Sequence, residues 1–211
     1  MLHARVARGF LVSTTKNIKT PGRPRSFDVD MAIDTAMRLF HARGYDAVGV
    51  AELAGALGIK PPSFYAAFGS KAGLLERAIE RYSAGEANVF ERARDQGGKV
   101  AEVIERTLAN AAGLYPEQGG TAGCLVLDGT RNSVDAEARA FTAAAMQAGY
   151  ESLRQFIATE YPDRAPQLAR LVTIALAGMS AAARDGASRA ELADFAATMS
   201  ASIRREMKGR P

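Results

Sequence analysis

Helical spacing of apolar residues runs along almost the whole chain of 211 residues and restricts its fold more than any other feature. Apolar side chains that recur at positions i, i+3, i+4 and i+7 lie on one face of an α-helix. Early examples are Ile33, Ala36, Met37 and Phe40, followed by Val50, Leu53, Ala54 and Leu57. Because no segment forms a convincing strand, we predict an all-α protein with nine helices.

Glycine and capping residues mark the ends of these predicted helices. Gly44 and Gly58 end the first two helices, as a C-terminal glycine does. Ser70 is a natural N-cap, and Ser188 with Glu191 has the spacing of a capping box. The nine predicted helices span 33–43, 50–57, 61–68, 71–94, 100–115, 122–130, 134–161, 167–184 and 189–208.

Two consecutive prolines stand at the start of the third helix, in the segment LGIKPPSFYAAFGSK. Backbone N–H groups in the first turn of a helix have no helical partner, so Pro61 and Pro62 are tolerated there and fix where the helix begins. Lys60 precedes a proline and is therefore pushed out of helical geometry. Three short helices with such a turn form a helix-turn-helix pattern.

The third helix is predicted to have one buried face and one exposed face. Phe64 and Phe68 lie at i and i+4 and should pack against the first two helices. Small side chains on the opposite face let the backbone approach the floor of a DNA groove. Ser63 suits a base edge or a phosphate, whereas Pro62 and Ala66 suit a thymine methyl group.

Positive charge is concentrated in the first third of the chain. Residues 1–75 contain ten Lys and Arg against five Asp and Glu, whereas the whole chain has a net charge of +4. This asymmetry favours an anionic partner at one end, and nucleic acid is the commonest such partner. Tyr65 and Lys71 suit phosphate oxygens, and Lys71 also lies at the N-terminus of the fourth predicted helix.

Cysteine and histidine are too scarce for several classes of function. Cys124 is the only cysteine, which excludes an intramolecular disulfide, and His3 and His41 are too few for a metal centre. We therefore expect no catalytic site, no metal and no cofactor. No apolar run is long enough for a transmembrane helix, and the N-terminus lacks the apolar core of a secretory signal. We expect a cytoplasmic protein without a membrane partner.

Residues 31–75, MAIDTAMRLFHARGYDAVGVAELAGALGIKPPSFYAAFGSKAGLL, resemble the N-terminal domain of the TetR family of bacterial transcriptional regulators. The landmarks are LFHARGYDA, VAELAGALGI, SFYAAFGSK and the following GLL. The chain departs from the family pattern at Val48 and Gly49, where members usually have Thr or Ser. That hydroxyl caps the second helix and often meets phosphate, so we assign no DNA contact there.

The resemblance implies a homodimer of all-helical subunits that binds double-stranded operator DNA. It also implies that the third helix enters the major groove, with Lys60 and Ser63 near bases and Tyr65 and Lys71 on phosphates. The segment GRPRS resembles the basic arm that precedes the first helix in many members, so its arginines are candidates for phosphate or minor-groove contacts. The candidate DNA contacts are Arg23, Arg25, Lys60, Pro61, Pro62, Ser63, Tyr65, Ala66 and Lys71.

Three domains are expected on the same basis. Residues 1–25 form a basic arm, residues 26–75 the helix-turn-helix DNA-binding domain, and residues 76–211 a ligand-binding and dimerisation domain. In the resembled family the last two long helices pair with their symmetry mates, and two heads on a palindromic operator require such an interface. The predicted interface residues are Leu168, Leu171, Val172, Ala175, Met179, Leu192, Phe195 and Met199.

The helices of the third domain are expected to enclose a pocket for a small-molecule effector. The segment GCLVLDGTRN resembles one found beside the ligand cavity in a subset of these regulators. Cys124 is either a buried packing thiol or a reactive thiol with a lowered pKa, for which Arg131 is the candidate cation. The candidate pocket residues are Tyr115, Cys124, Asp128, Arg131 and Tyr150.

These patterns predict a ligand-responsive transcriptional regulator, most simply a repressor that a small molecule releases from its operator. In this hypothesis the ligand moves a continuous helix over 71–94 and thereby changes the separation of the two reading helices. One alternative is a regulator that senses electrophiles or oxidants through Cys124. The other, from a different class, is a helical protein-interaction dimer that has no operator.

Overall fold

The computed structural model describes residues 28–117 and 119–208 of the chain, so the predicted arm with Arg23 and Arg25 lies outside the described residues. The helices are α1 (Val29–Arg43), α2 (Val50–Ala56), α3 (Pro61–Phe68), α4 (Lys71–Ala84), α5 (Val89–Asp95), α6 (Val100–Leu114), α7 (Leu125–Asp128), α8 (Ala136–Ala158), α9 (Ala165–Arg184) and α10 (Arg189–Met207). A short 3-10 turn, Pro162–Arg164, leads into α9.

The predicted all-α class is confirmed. Within the described ranges there is no strand, nine helices have seven residues or more, and α7 is a single turn. The predicted caps also form, since the Gly73 N–H donates to Ser70 Oγ at 2.8 Å. At the start of α10, the Ser188 N–H donates to Glu191 Oε2 at 2.8 Å, which completes the capping box.

The predicted continuous helix over 71–94 is wrong, because the chain breaks after α4 and restarts at α5. Asn88 closes both helix ends at this break. Its Nδ2 donates to the Ser83 carbonyl at 3.0 Å, and its Oδ1 accepts from the Glu91 N–H at 3.2 Å. Gly85 caps α4 in an extended conformation, so the two helices are separate elements.

Helix packing divides the described chain into a small head, α1 to α3, and a larger body, with α4 between them. Phe40, Leu53 and Phe64 are fully buried in the head. The α4 helix packs on α1 of the head and on α8 of the body. In the body, α6 packs against α5 and α10, and α8 packs against α9.

Most residues of the predicted dimer stripe point into their own subunit, and the interface itself stays a prediction. Five of the eight residues are at most 3% exposed, because α9 packs on α8 and α10 packs on α6. These five are Leu168, Val172, Ala175, Met179 and Leu192. Leu171 and Met199 are partly accessible, and Phe195 is 40% exposed.

Candidate DNA-binding surface and body cavity

The α3 helix presents a face of small and polar residues, as predicted. Lys60 has extended backbone angles and forms the N-cap, with the two prolines in the first turn. Phe64 is fully buried and Phe68 is 5% exposed, with their ring centroids 5.4 Å apart. This aromatic pair holds a helix that would be too short to persist alone. The exposed residues are Lys60, Pro61, Pro62, Ser63, Tyr65 and Ala66.

Lys71 lies apart from this exposed face. Its Nζ is 3.9 Å from the centroid of the Tyr45 ring, and partial burial lowers the pKa of Lys71. The Tyr45 hydroxyl donates to Asp135 Oδ2 at 2.6 Å, so the head contacts the N-terminus of α8 here. That hydrogen bond lowers the pKa of Asp135, which therefore carries a negative charge near the Lys71 ammonium.

The head and the body also meet at the end of α1. His41 Nε2 lies 3.1 Å from the Gly123 carbonyl, and the Arg184 guanidinium donates to the His41 carbonyl at 3.2 Å. The Tyr82 ring of α4 packs edge-on against the His41 imidazole, with centroids 5.4 Å apart. Burial lowers the pKa of His41. The imidazole therefore joins α1, α4 and the segment before α7.

A cavity of about 470 Å³ lies in the body between α4, α5, α7, α8 and α9. This volume is within the range of small-molecule sites. At its inner end are Phe90, Tyr115 and Leu153, which are at most 7% exposed. At its outer end are Met146 and Ile174, which are 45% and 62% exposed. Most of the lining is apolar, and the inner end carries the polar groups of Tyr115 and Cys124.

Three of the five predicted pocket residues line this cavity: Tyr115, Cys124 and Tyr150. Asp128 and Arg131 do not, because the Asp128 carboxylate turns towards α9 instead. Asp128 is 3% exposed in its side chain and pairs with Arg131 at 2.7 Å and with Arg184 at 3.3 Å. The prediction for these two residues is wrong because α7 is a single turn whose polar end faces away from the cavity.

Close packing of the loop against α9 positions Cys124 in the cavity wall. Gly123 has φ 73°, and a Cβ on this residue would lie 2.9 Å from the Ser180 carbonyl oxygen. Only glycine therefore lets the loop approach α9 this closely. The Cys124 N–H then donates to Ser180 Oγ at 2.8 Å, which directs the thiol towards the cavity.

Two tyrosines line the cavity together with Cys124. These are Tyr82 and Tyr115, and burial raises the pKa of both. Burial also raises the pKa of Cys124, so the thiol is protonated at neutral pH. Tyr82 was not among the predicted pocket residues, and it follows Ala78 and Ile79 on the buried stripe of α4. In the sequence, the only sign that Tyr82 belongs to a site was its hydroxyl group on an otherwise apolar helix face.

The described residues contain no helix long and apolar enough to cross a membrane. Nor do those residues contain a cluster of His, Cys, Asp or Glu that would suit a metal ion.

Known proteins resemble the chain in sequence and in fold. Residues 32–78 match the sequence model of the bacterial regulatory proteins of the tetR family. The chain is 40% identical to the HTH-type transcriptional repressor BdcR of Escherichia coli over 191 residues, which are 90% of this chain and 96% of BdcR. It is 34% identical to the repressor ComR of the same organism over 194 residues, covering 85% of this chain and 90% of ComR.

A solved structure shows the same likeness. A cysteine-substituted form of CifR, a TetR family transcriptional regulator bound to double-strand operator DNA, superimposes with a TM-score of 0.69 at 29% identity. The match covers 90% of this chain and all of that chain.

Proposed function

The chain belongs to the TetR family of bacterial transcriptional regulators, and we propose that it is a repressor that binds a palindromic operator as a homodimer and is released by a small molecule. The observation that carries the proposal is the rigid α3, which presents small and polar residues while two buried phenylalanines hold it. The names of BdcR and ComR and the operator complex of CifR support it. The function places the protein in the cytoplasm with the bacterial DNA.

Contacts to bases and contacts to phosphates have different roles in this proposal. Pro62, Ser63 and Ala66 form the part of α3 that approaches the bases. Lys60 also lies near the bases, whereas Tyr65, which is 51% exposed, supplies a hydroxyl group for phosphate oxygens. Lys71 binds phosphate by moving its ammonium from the Tyr45 ring, a short displacement for a flexible side chain.

The remaining parts of the chain have the roles that the sequence predicts. Arg23 and Arg25, in the arm over 1–25, bind phosphates or the adjoining minor groove. Residues 26–75 bind the DNA, and residues 76–211 bind the effector and form the dimer.

The outward faces of α9 and α10 form the dimer interface. Leu171, Phe195 and Met199 remain accessible there from the predicted set, and Ile174 of α9 is 62% exposed. Exposed Gly178 and half-buried Ala182 on α9 allow close helix crossing. An isologous contact through this apolar face buries side chains that a lone subunit exposes to water.

Release from DNA is transmitted through α4. This helix begins at Lys71 beside the DNA-reading α3 and ends with Tyr82 and Ser83 in the cavity wall. A ligand that displaces Tyr82 also alters its contact with His41 of the head. The resulting shift of α4 changes the separation of the two reading helices. A coupling free energy of about 1–3 kcal/mol suffices for a 5- to 150-fold change in operator affinity.

A second candidate function is covalent sensing by Cys124. The observation in its favour is that Cys124 lines the cavity together with two tyrosines, Tyr82 and Tyr115. Burial raises the pKa of Cys124, however, and the candidate cation Arg131 is paired with Asp128. We therefore prefer a non-covalent effector. The Cys124→Ser variant separates the two functions, because only a covalent sensor loses all response to its effector.

Selection of bound sequences from a random pool of duplex DNA tests the proposal. We expect a palindrome with half-site centres about one helical turn apart, and operator affinity that falls steeply with salt concentration. A protein that remains a single subunit, or that ignores duplex DNA at low ionic strength, contradicts the proposal. A stable dimer without any DNA binding indicates the protein-interaction alternative instead.

A further inference from the structure

The buried inner part of the body cavity carries two tyrosine hydroxyl groups. Tyr115 is 2% exposed, Tyr82 is 8% exposed, and both line the cavity together with Cys124. The sulfur of Cys124 is a weak hydrogen-bond acceptor and therefore a poor partner for these donors. A ligand oxygen placed beside these hydroxyls would be a stronger acceptor. The arrangement therefore favours a molecule that brings an oxygen acceptor to this point.

The walls around this point are uncharged and apolar. Phe90, Val126 and Leu153 line the cavity beside the tyrosines, and Phe90 and Leu153 are at most 7% exposed. Behind the wall, the charges of Asp128 and Arg184 compensate each other at 3.3 Å. A charged ligand group at this depth would lose its hydration without gaining an opposite charge, which is costly.

Charged side chains at the outer end of the cavity already have partners. Glu91 accepts a hydrogen bond from Ser152 Oγ at 3.1 Å and pairs with Arg94. The Arg170 guanidinium lies over the Tyr150 ring, 4.4 Å from its centroid. Glu91 is therefore already paired with a cation, and the Arg170 guanidinium is held against an aromatic ring at the exposed end of the cavity.

We infer that the effector is an uncharged, largely apolar molecule with an oxygen acceptor, such as a carbonyl or ether, which takes hydrogen bonds from the hydroxyls of Tyr82 and Tyr115. The inference rests on the proposed function, because it names the chemical class of the effector of the same cavity. No bond to Cys124 forms in this binding mode. The ligand remains intact and dissociates when its concentration falls.

Four naphthalene probes of similar size test this inference by direct binding to the full chain without DNA. They are 2-acetylnaphthalene, 2-ethylnaphthalene, 2-naphthoate and 2-naphthylmethylammonium. Isothermal titration calorimetry measures the affinity of each probe directly. We expect the ketone to bind at least about tenfold more tightly than either ion, a difference of about 1.4 kcal/mol. We expect it to bind about three- to tenfold more tightly than the hydrocarbon.

Substitutions of the two tyrosines test where the oxygen of the ligand binds. In Tyr115→Phe and in Tyr82→Phe, the preference for the ketone over the hydrocarbon should shrink, whereas affinity for the hydrocarbon stays the same. Tyr161→Phe is the matched control, since Tyr161 lies outside the residues that line the cavity, and it should retain the full preference. Unchanged hydrocarbon binding also shows that each variant is folded.

Several outcomes overturn the inference. These are equal binding of ketone and hydrocarbon by the unaltered protein, tighter binding of either ion, and no binding of any probe. If naphthoate binds best and Arg170→Gln removes that preference, the cavity takes an anion at its outer end instead. Failure of the protein to bind operator DNA contradicts the proposed function but leaves this measurement intact, so the two failures are distinguishable.

Discussion

The α3 and α9 helices have similar apolar patterns but differ in what their apolar sides contact. In α3, Phe64 and Phe68 turn inward and the other face meets solvent, as helical spacing predicts. In α9, Leu168 and Val172 also turn inward, although the predicted dimer interface included both. An apolar stripe thus shows which side of a helix is buried but not whether its own subunit or a partner buries it.

Neighbouring elements explain this difference. The α3 helix packs inside the small head, against α2 and the start of α4. Its apolar side can therefore be buried only by helices of its own subunit. The α9 helix packs against α8 and also carries a second apolar strip with Leu171 and Ile174. The core of the subunit does not fully bury this strip. The candidates for contact with a second subunit are therefore the apolar residues that the core does not use.

The largest effect is expected for Phe64→Ala in α3. Phe64 is fully buried, so the variant loses aromatic contacts and leaves a cavity, at a cost of about 3–5 kcal/mol in the free energy of unfolding. Chemical denaturation followed by circular dichroism measures this loss. The adjacent Tyr65→Ala variant is the matched control, because Tyr65 is 51% exposed. It should weaken DNA binding with little loss of stability, and equal destabilisation by both variants would contradict the assignment of the two faces.

A second pair of variants tests the same distinction in α9. Leu168→Ala removes a fully buried side chain and should cost about 2–5 kcal/mol in unfolding free energy. Leu171→Ala, three residues on, should cost about 1 kcal/mol within the subunit and should raise the dimer dissociation constant. Denaturation measures the first effect, and sedimentation over a range of protein concentrations measures the second. If Leu168→Ala alone weakens the dimer, the inward-facing assignment is wrong.

Structural features formed by neighbouring residues were predictable from the sequence. The exposed face of α3 lies within seven consecutive positions, so helix geometry alone places its residues together. The caps at Ser70 and Ser188 were predictable for the same reason. The body cavity was only partly predictable, since α4, α5, α7, α8 and α9 all contribute to it. No local pattern shows that Tyr82 of α4 meets Cys124.

The break after α4 shows a second limit of local patterns. Apolar residues keep their helical spacing across it, because Val89 and Phe90 continue the stripe of Ile79. The side chain of Asn88 hydrogen-bonds to the backbone at the end of α4 and at the start of α5, which stabilises the break. Asparagine is common in helices, turns and caps, so its position in the sequence does not identify this role.

Smaller effects should separate Ser63 from Lys71 in DNA binding. Ser63→Ala removes a group proposed to contact a base, so it should cost about 1 kcal/mol on the preferred operator and relax selectivity at one position. Lys71→Ala should weaken binding to all sequences alike and reduce the slope of log affinity against log salt by about 1. Titrations of matched and altered operators over a series of salt concentrations measure both effects. Identical losses on every sequence for both variants would contradict the division into base and phosphate contacts.

The smallest effect is expected at His41, where α1 of the head meets the body. Burial and the nearby Arg184 disfavour its charged form and lower the pKa of His41 below the ordinary value of 6.5, although the Gly123 carbonyl and Asp128 partly oppose them. The unfolded chain therefore binds this proton more readily than the folded chain. The resulting stabilisation is present above about pH 6.5 and is lost as the pH falls below that value. The unaltered protein should thus lose more stability than His41→Gln between about pH 7.5 and pH 5.5.

Unfolding free energies of the two proteins across this pH range test the prediction, since the carboxylates contribute equally to both curves. Parallel curves would mean that His41 titrates alike in the folded and unfolded chains. If the curves diverge, operator affinity measured over the same range shows whether the junction also affects the head. Protonation places a positive charge near the Arg184 guanidinium, which repels it. If DNA binding by the head depends on the contacts of His41, operator affinity should fall more steeply with decreasing pH in the unaltered protein than in His41→Gln.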